Sequence, residues 1–167
     1  TAIIVTYHSA DIIAAALDAA QRSHAADLLD VVVVDNASTD GTADLVRRAH
    51  PWVTLVASPV NLGYGRGCNA GLPHVRSPYV IFMNPDAVLE PDGLRTLLDF
   101  MEQHPQAGIC GPAIHRAAGD YQITAPLFTP ARLVKDALGR PADARRRPIK
   151  PGSPPRRVDW VCGALLF

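Results

Sequence analysis

The sequence predicts an α/β protein with a mostly parallel sheet flanked by helices, and three observations lead there. Val31, Val32, Val33 and Val34 form a run without polar alternation, as expected of a strand buried on both faces in a parallel sheet covered by helices. Strand-like and helix-like segments alternate four times between Ala2 and Glu102, which implies right-handed crossovers between parallel strands. After Gln106 short apolar segments cluster around turn residues, so the C-terminal part should be mixed.

Taken in order, Ala2 to Thr6 reads as the first strand, with Ser9 or Asp11 capping a helix through the alanine-rich stretch to about Ala26. Val31 to Val34 is the second strand. Asp40 is read as the cap of a short helix from about Thr42 to Ala49. Val53 to Ala57 is the third strand, and a helix starts near Gly65 and ends before Pro73. Tyr79 to Met83 is the fourth. Pro91 suits the first position of a helix through Glu102, with Leu94, Leu97, Leu98 and Met101 on one face. Gly108 to Ile114 and Tyr121 to Thr124 read as short strands around a turn, and Val158 to Phe167 as a last apolar strand.

With 167 residues, 48% of them hydrophobic, the chain can bury one core and is expected to form a single domain over 1–167. No apolar run approaches the roughly 20 residues a membrane helix needs, and no basic segment precedes the first apolar stretch. Thr1 is not an initiator Met and the sequence stops at Leu165, Leu166, Phe167, so a fragment is expected, leaving room for an anchor outside it. Three widely spaced cysteines, Cys68, Cys110 and Cys162, point to reduced thiols in a cytoplasmic setting rather than to disulfides or a cysteine zinc site. The six histidines are scattered, without metal-ligand spacing on one helix face.

Net charge is zero, yet between Arg132 and Arg157 nine Lys or Arg residues stand against Asp136 and Asp143. Five prolines and two glycines fall in the same stretch, so residues 139–157 are expected to form a flexible basic loop. Its composition suits a solvated excursion. The functional alternative is contact with an anionic membrane surface or a phosphate-bearing acceptor.

Chemistry is expected at the carboxyl ends of the strands, the ligand-binding edge of open α/β sheets. Asp35 ends the valine strand and either makes the turn with Asn36 and Ser38 or meets a ligand there. The fourth strand ends in Asn84, Pro85, Asp86, Ala87, and proline stops the ladder and holds Asn84 extended. Asp86 is a turn residue or a ligand to a hard cation, for which one carboxylate completed by substrate phosphates suffices. Tyr7, after the first strand, covers the core edge or walls a planar ligand, and the residue alone favours the core edge.

Gly65, Gly67 and Ala70 satisfy a GxGxxA pattern, with Asp86 about 20 residues on as a dinucleotide site requires. The context is wrong for that site. Seven residues, Ser58 to Tyr64, separate Gly65 from the third strand, and Asn84 and Pro85 intervene before the acid.

Together, Ile3 to Tyr7, the run Val31 to Val34 with Asp35 to Thr42, Asn61-Leu62-Gly63 with Gly67, Asn69 and Gly71, and Phe82 to Asp86 resemble the family 2 glycosyltransferases. The nucleotide-sugar-binding domain of that family has the GT-A fold. Asn84-Pro85-Asp86 looks most like the rhamnosyltransferases of bacterial cell-wall and surface-polysaccharide assembly. The resemblance is dense from Ala2 to about Pro112 and returns at Trp160 to Ala164.

The resemblance implies that Thr6 and Tyr7 border the nucleotide base, that Asp35 contacts base or ribose, and that Asn61, Arg66 and Asn69 shape the donor pocket. Asp86 would ligate a Mn²⁺ or Mg²⁺ ion bridging the donor diphosphate. Asn84 stands where the common DxD motif has its first Asp, and ribose contact is implied there. Trp160 and Gly163 fall on the acceptor side. The implied partners are a dTDP- or UDP-linked sugar and a glycan or lipid-linked glycan acceptor, with no nucleic acid. The reaction implied is inverting transfer, in which the metal neutralises the departing diphosphate. The general base such transfer needs is expected beyond Phe167 in this family, so the chain should bind donor better than it turns over. The rival readings are a non-catalytic GT-A-like nucleotide-binding or scaffold module and a nucleotidyltransferase. The latter should show a glycine-rich basic loop after the first strand, where Thr6 to Ala10 has neither glycine nor lysine.

Overall fold

The computed structural model describes residues 1–115, 119, 121, 152–158, 161 and 163–167. Residues 1–110 with 163–167 form one compact unit and residues 111–162 a second. The first holds a five-stranded sheet: β1 (Ala2–Thr6), β2 (Val31–Asn36), β3 (Thr54–Ser58), β4 (Ile81–Met83) and β5 (Leu165–Leu166), in the order β3-β2-β1-β4-β5. The first four strands are parallel and β5 runs antiparallel to β4. Four helices connect or follow them: α1 (Ile13–Arg22), α2 (Thr42–Ala49), α3 (Tyr64–Gly71) and α4 (Gly93–Gln103). In the second unit the described residues include an isolated antiparallel bridge between His115 and Tyr121.

The valine run is central, as expected, with every residue of β2 buried. Alternate side chains enter two cores. Val31 and Val33 join Ala2, Ile4, Ile81 and Met83 against α1, α2 and α4. Val32 and Val34 join Ile3, Val5 and Cys68. Each fully buried aliphatic side chain is worth about 1.5–3 kcal/mol, so β1 and β2 form the rigid centre on which the strand ends are mounted.

Helix α3 lies close on β1. A Cβ placed on Gly67 would come within 2.7 Å of Val5 Cγ1, and one on Gly71 within 2.7 Å of Ile3 Cγ2. Gly65, the residue that opened the dinucleotide-like pattern, faces open space. The glycines therefore serve helix–strand packing, and the pattern's register is not that of a phosphate turn.

Several boundaries differ from the sequence expectation for local reasons. Helix α1 ends at Arg22 rather than near Ala26, because Ser23 is extended and the Ser23 Oγ and His24 N–H both donate to the Pro91 carbonyl, at 3.3 and 2.9 Å. Neither Ser9 nor Asp11 caps α1 through its side chain; instead the Ser9 carbonyl accepts the Ile12 and Ile13 N–H groups. Pro91 sits in the turn before α4 and not at its first position. Tyr79 stays outside β4, its carbonyl taken by the Thr1 amino group and the Ser77 hydroxyl. The last strand is confined to Leu165–Leu166, extended by reciprocal backbone bonds between Cys110 and Phe167 of 2.8 and 2.9 Å. No strand spans Gly108 to Ile114. The expectations for residues 122–124 and for most of the basic segment, 132–151, lie outside the described residues.

Candidate functional site

The strand order places the reversal of winding at β1: β2 and β3 follow on one side and β4 on the other. Ligands of open α/β sheets bind outside the carboxyl ends of the strands at such a reversal. Thr6 pairs with Asp35 and Ile4 with Met83, so Tyr7, Asn36 and the Asn84–Ala87 turn emerge along one edge.

The ends of β1 and β2 are bound together by side chains. Asp35, only 2% exposed, accepts the Thr6 hydroxyl on Oδ1 at 2.9 Å, the Ser38 hydroxyl on the same oxygen, and the Ser38 N–H on Oδ2 at 3.0 Å. A carboxylate has about four acceptor positions, and three are occupied. Asp35 thus builds the turn, as one of its two readings had it, and keeps one acceptor position on Oδ2. Thr6 is wholly buried and holds Asp35 instead of lining an open surface.

Three successive amides of the β1–α1 loop are received by the polar octet that begins at the end of β2, residues 35–42. The His8 N–H donates to Ser38 Oγ at 3.0 Å, Ser9 N–H to Thr42 Oγ1 at 2.9 Å and Ala10 N–H to Asp40 Oδ2 at 3.0 Å. Asp40 Oδ1 meanwhile accepts the Thr42 N–H at 3.1 Å and hydroxyl at 2.6 Å. Gly41, and not Asp40 as the sequence suggested, is the N-cap residue of α2; Asp40, one residue earlier, receives the N–H of the first helical residue and fastens the neighbouring loop. These hydrogen bonds, that of the Thr42 hydroxyl first, hold its carboxyl down to about 2.

His8 and Ala37 adopt left-handed backbone conformations, φ 51° and 59°. Such conformations are uncommon for residues other than glycine, and they persist only where the surroundings over-determine them, often at ligand sites. Here the cross-loop bonds do so. The result is to present Tyr7, which is 51% exposed and stacked on the His8 ring at 4.1 Å between centroids. Tyr7 is therefore an open aromatic surface and not the cover of the core edge that the residue alone suggested.

On the other face of β2, Asn36 is 2% exposed and donates from Nδ2 to the Gly63 carbonyl at 3.3 Å. Its Oδ1 finds no hydrogen-bond partner among the described residues, an arrangement that costs about 1–3 kcal/mol in a protein interior. The Gly63 N–H is taken by Asn61 Oδ1 at 2.8 Å, and Gly63 has φ 75°. Asn61 thus shapes the loop before α3, while Arg66 and Asn69 stand exposed on that helix. Burial, then the neighbouring Cys68, pushes the Tyr64 hydroxyl up to about 12, and burial raises the Cys68 thiol.

At the end of β4 the Ala87 N–H donates to the Asn84 carbonyl at 3.1 Å, closing a turn with Pro85 and Asp86 at its centre. The Asn84 N–H donates to the Ala164 carbonyl at 2.9 Å, which brings the exposed Gly163 beside this turn. Trp160 lies outside the described residues. Asp86 is exposed, and none of the hydrogen bonds or ion pairs found among the described residues engages it. No cluster of three or more His, Cys, Asp or Glu able to hold a metal occurs among the described residues. One uncommitted carboxylate at the ligand edge fits a hard cation completed by phosphate oxygens, but not an all-protein cage.

Sequence reasoning gave Asn36 and Ser38 a part in the turn alone and missed their bonds to Gly63 and His8, and missed the Thr42 hydroxyl as the acceptor of the Ser9 amide. The density of hydroxyl and amide side chains in the octet was the available signal.

The mostly parallel sheet, with its polar strand ends gathered at a reversal of winding, has the GT-A fold of the glycosyltransferase structures that it matches. The chain belongs to glycosyl transferase family 2, whose family model matches residues 1–154. It is 29% identical over 164 residues to N-acetylglucosaminyl-diphospho-decaprenol L-rhamnosyltransferase of Mycobacterium tuberculosis, a match covering 83% of this chain and 51% of the relative. Among solved structures, the mannosyltransferase PcManGT from Pyrobaculum calidifontis, in complex with GDP-Man and Mn²⁺, superposes with a TM-score of 0.63 at 33% identity, over 69% of this chain and 35% of that one. TarS from S. aureus, in complex with UDP-GlcNAc, gives 0.57 at 26% identity, over 65% and 32%. The chain spans about half the length of the curated relative.

Proposed function

We propose that this chain is the donor-binding part of a metal-dependent inverting glycosyltransferase that moves a sugar, rhamnose in the first instance, from a dTDP- or UDP-linked donor to a lipid-linked or surface glycan. The observation that carries the reading is Asp86: an exposed, uncommitted carboxylate in a proline turn at the ligand edge of a family 2 sheet. The rhamnosyl donor and lipid-linked acceptor are favoured by the name of the M. tuberculosis relative.

In this reading Tyr7 stacks on the nucleotide base, as an exposed aromatic can on any planar ring. Asp35 offers its remaining acceptor position to base or ribose, and Asn61, Arg66 and Asn69 line the approach from α3. Asp86 holds Mn²⁺ or Mg²⁺, which when bound neutralises charge on the leaving diphosphate, an effect worth several kcal/mol in such reactions. The acceptor hydroxyl oxygen attacks the anomeric carbon as the bond to the diphosphate oxygen breaks, inverting the centre, and the hydroxyl proton passes to a base. At the described strand ends Asp35 and Asp40 are committed to turns and Asp86 is assigned to the cation. We therefore assign no base and expect the 167-residue chain to bind donor better than it turns over.

The test is calorimetric titration with UDP, dTDP and GDP and their sugar conjugates, with and without Mn²⁺. The reading requires at least one nucleotide to gain affinity from the metal. Binding of none, or binding indifferent to metal, overturns it.

A further inference from the structure

We infer that Asn36 is a positioning residue for nucleotide binding, acting through Gly63 on the first turn of α3. The inference rests on the donor-binding reading above and goes beyond it, since Asn36 touches no residue assigned to ligand contact except through the backbone of the Asn61–Arg66 segment.

Three observations converge. First, both polar groups of Gly63 are gripped by asparagine side chains: its N–H by Asn61 Oδ1 at 2.8 Å and its carbonyl by Asn36 Nδ2 at 3.3 Å. The same carbonyl accepts the Gly67 N–H at 3.0 Å, the first helical bond of α3. Together these bonds hold Gly63 at φ 75°, ψ 170°, and so fix the direction in which Tyr64, Gly65 and Arg66 leave the loop.

Second, the fit behind Gly63 is tight. A Cβ on Gly67 would come within 3.3 Å of Asn36 Nδ2 as well as 2.7 Å of Val5. The Asn36 amide is thus a spacer as well as a tether. The carbonyl it meets also fixes its orientation, since turning the amide over would set Oδ1 against the Gly63 oxygen.

Third, an amide is a poor choice for packing alone. Asn36 continues the run Val31 to Val34 on the face shared by Val32 and Val34, and its Oδ1 has no protein partner among the described residues. An aliphatic residue would fill the position without burying an unmet acceptor. Where a sequence departs from the locally best residue, a functional demand is the expected reason.

The experiment compares wild type, Asn36→Val and Asn36→Ser by thermal unfolding and by titration with UDP, dTDP and GDP in the presence and absence of Mn²⁺. We expect Asn36→Val to unfold at or above the wild-type temperature. It should bind the preferred nucleotide about tenfold more weakly, the equivalent of roughly one net hydrogen bond. The ratio of affinities with and without Mn²⁺ should stay unchanged, because Asp86 is not involved. In an Arg66→Ala background the Asn36→Val loss should shrink, since both changes act on the same turn. Nucleotide affinity of Asn36→Val within twofold of wild type overturns the inference, as does a full and additive loss in the Arg66→Ala background. If Asn36→Val does not fold, Asn36→Ser carries the same comparison. Failure of the wild type to bind any nucleotide would instead overturn the donor-binding reading itself.

Discussion

The ends of β1 and β2 and the end of β4 lie on the same sheet edge but are built on opposite principles. At β1 and β2 nearly every polar side chain is committed: Asp35 to Thr6 and Ser38, Asp40 to Ala10 and Thr42, Thr42 to Ser9. At β4 the turn closes through its backbone alone, and Asp86 projects without a partner among those bonds. The first region spends its carboxylates on holding a strained loop pair in place. The second leaves its carboxylate exposed to solvent. Two aspartates at strand ends, alike in sequence, are thus separated by their hydrogen bonds: Asp35 builds the scaffold, whatever its remaining acceptor position meets, and Asp86 is the one that the proposed function makes purely a contact residue.

If this contrast is right, Asp35→Ala should be the more damaging of the two substitutions for the fold. It leaves the wholly buried Thr6 hydroxyl with only the Val34 carbonyl, at 3.5 Å, and releases Ser38, at a cost of about 2–3 kcal/mol, measurable by denaturant unfolding. Gly67→Ala should cost about 1–3 kcal/mol through the clash with Val5, whereas Gly65→Ala, in open space on the same helix, should be stabilising by up to about 1 kcal/mol. Tyr7→Ala removes an exposed ring, so stability should stay within about 0.5 kcal/mol. Nucleotide affinity should meanwhile fall by about 1–3 kcal/mol, the range for an aromatic ring stacked on a base.

The smallest effect concerns acid. The Asp40 carboxyl is held at about 2 in the folded protein against an ordinary 3.8. The folded state therefore binds fewer protons than the unfolded state between those values, and stability rises with pH across that window. The contribution is complete above about pH 4 and is lost as the pH falls through about 2. Asp40→Asn should consequently flatten the dependence of Tm on pH between 4 and 2, with little change in its slope at higher pH.

The sheet was legible because its signal is local: four valines in a row can satisfy little but a doubly covered strand, and the turn residues after each strand mark its end. Helix boundaries were less so. Arg22 ends α1 because Ser23 and His24 bond to Pro91, a partner far along the chain. For the same reason the site was read at the level of residue type and not of role. Asp35 could be flagged as a strand-end carboxylate, but the hydroxyl it holds on Thr6 lies on another strand. Tyr7 could be judged only by its hydrophobicity, which favours burial, whereas its exposure follows from the left-handed backbone at His8. Asn36 gave no signal beyond turn chemistry, because the Gly63 carbonyl it holds belongs to the approach to α3.

The most direct test of the scaffold-and-contact division is the nucleotide titration repeated on Asp86→Ala with and without Mn²⁺, alongside its thermal unfolding. The division predicts an unchanged Tm, retained metal-free binding of the preferred nucleotide, and loss of the affinity gained from the metal. An Asp86→Ala protein that keeps the full metal-dependent gain would contradict it.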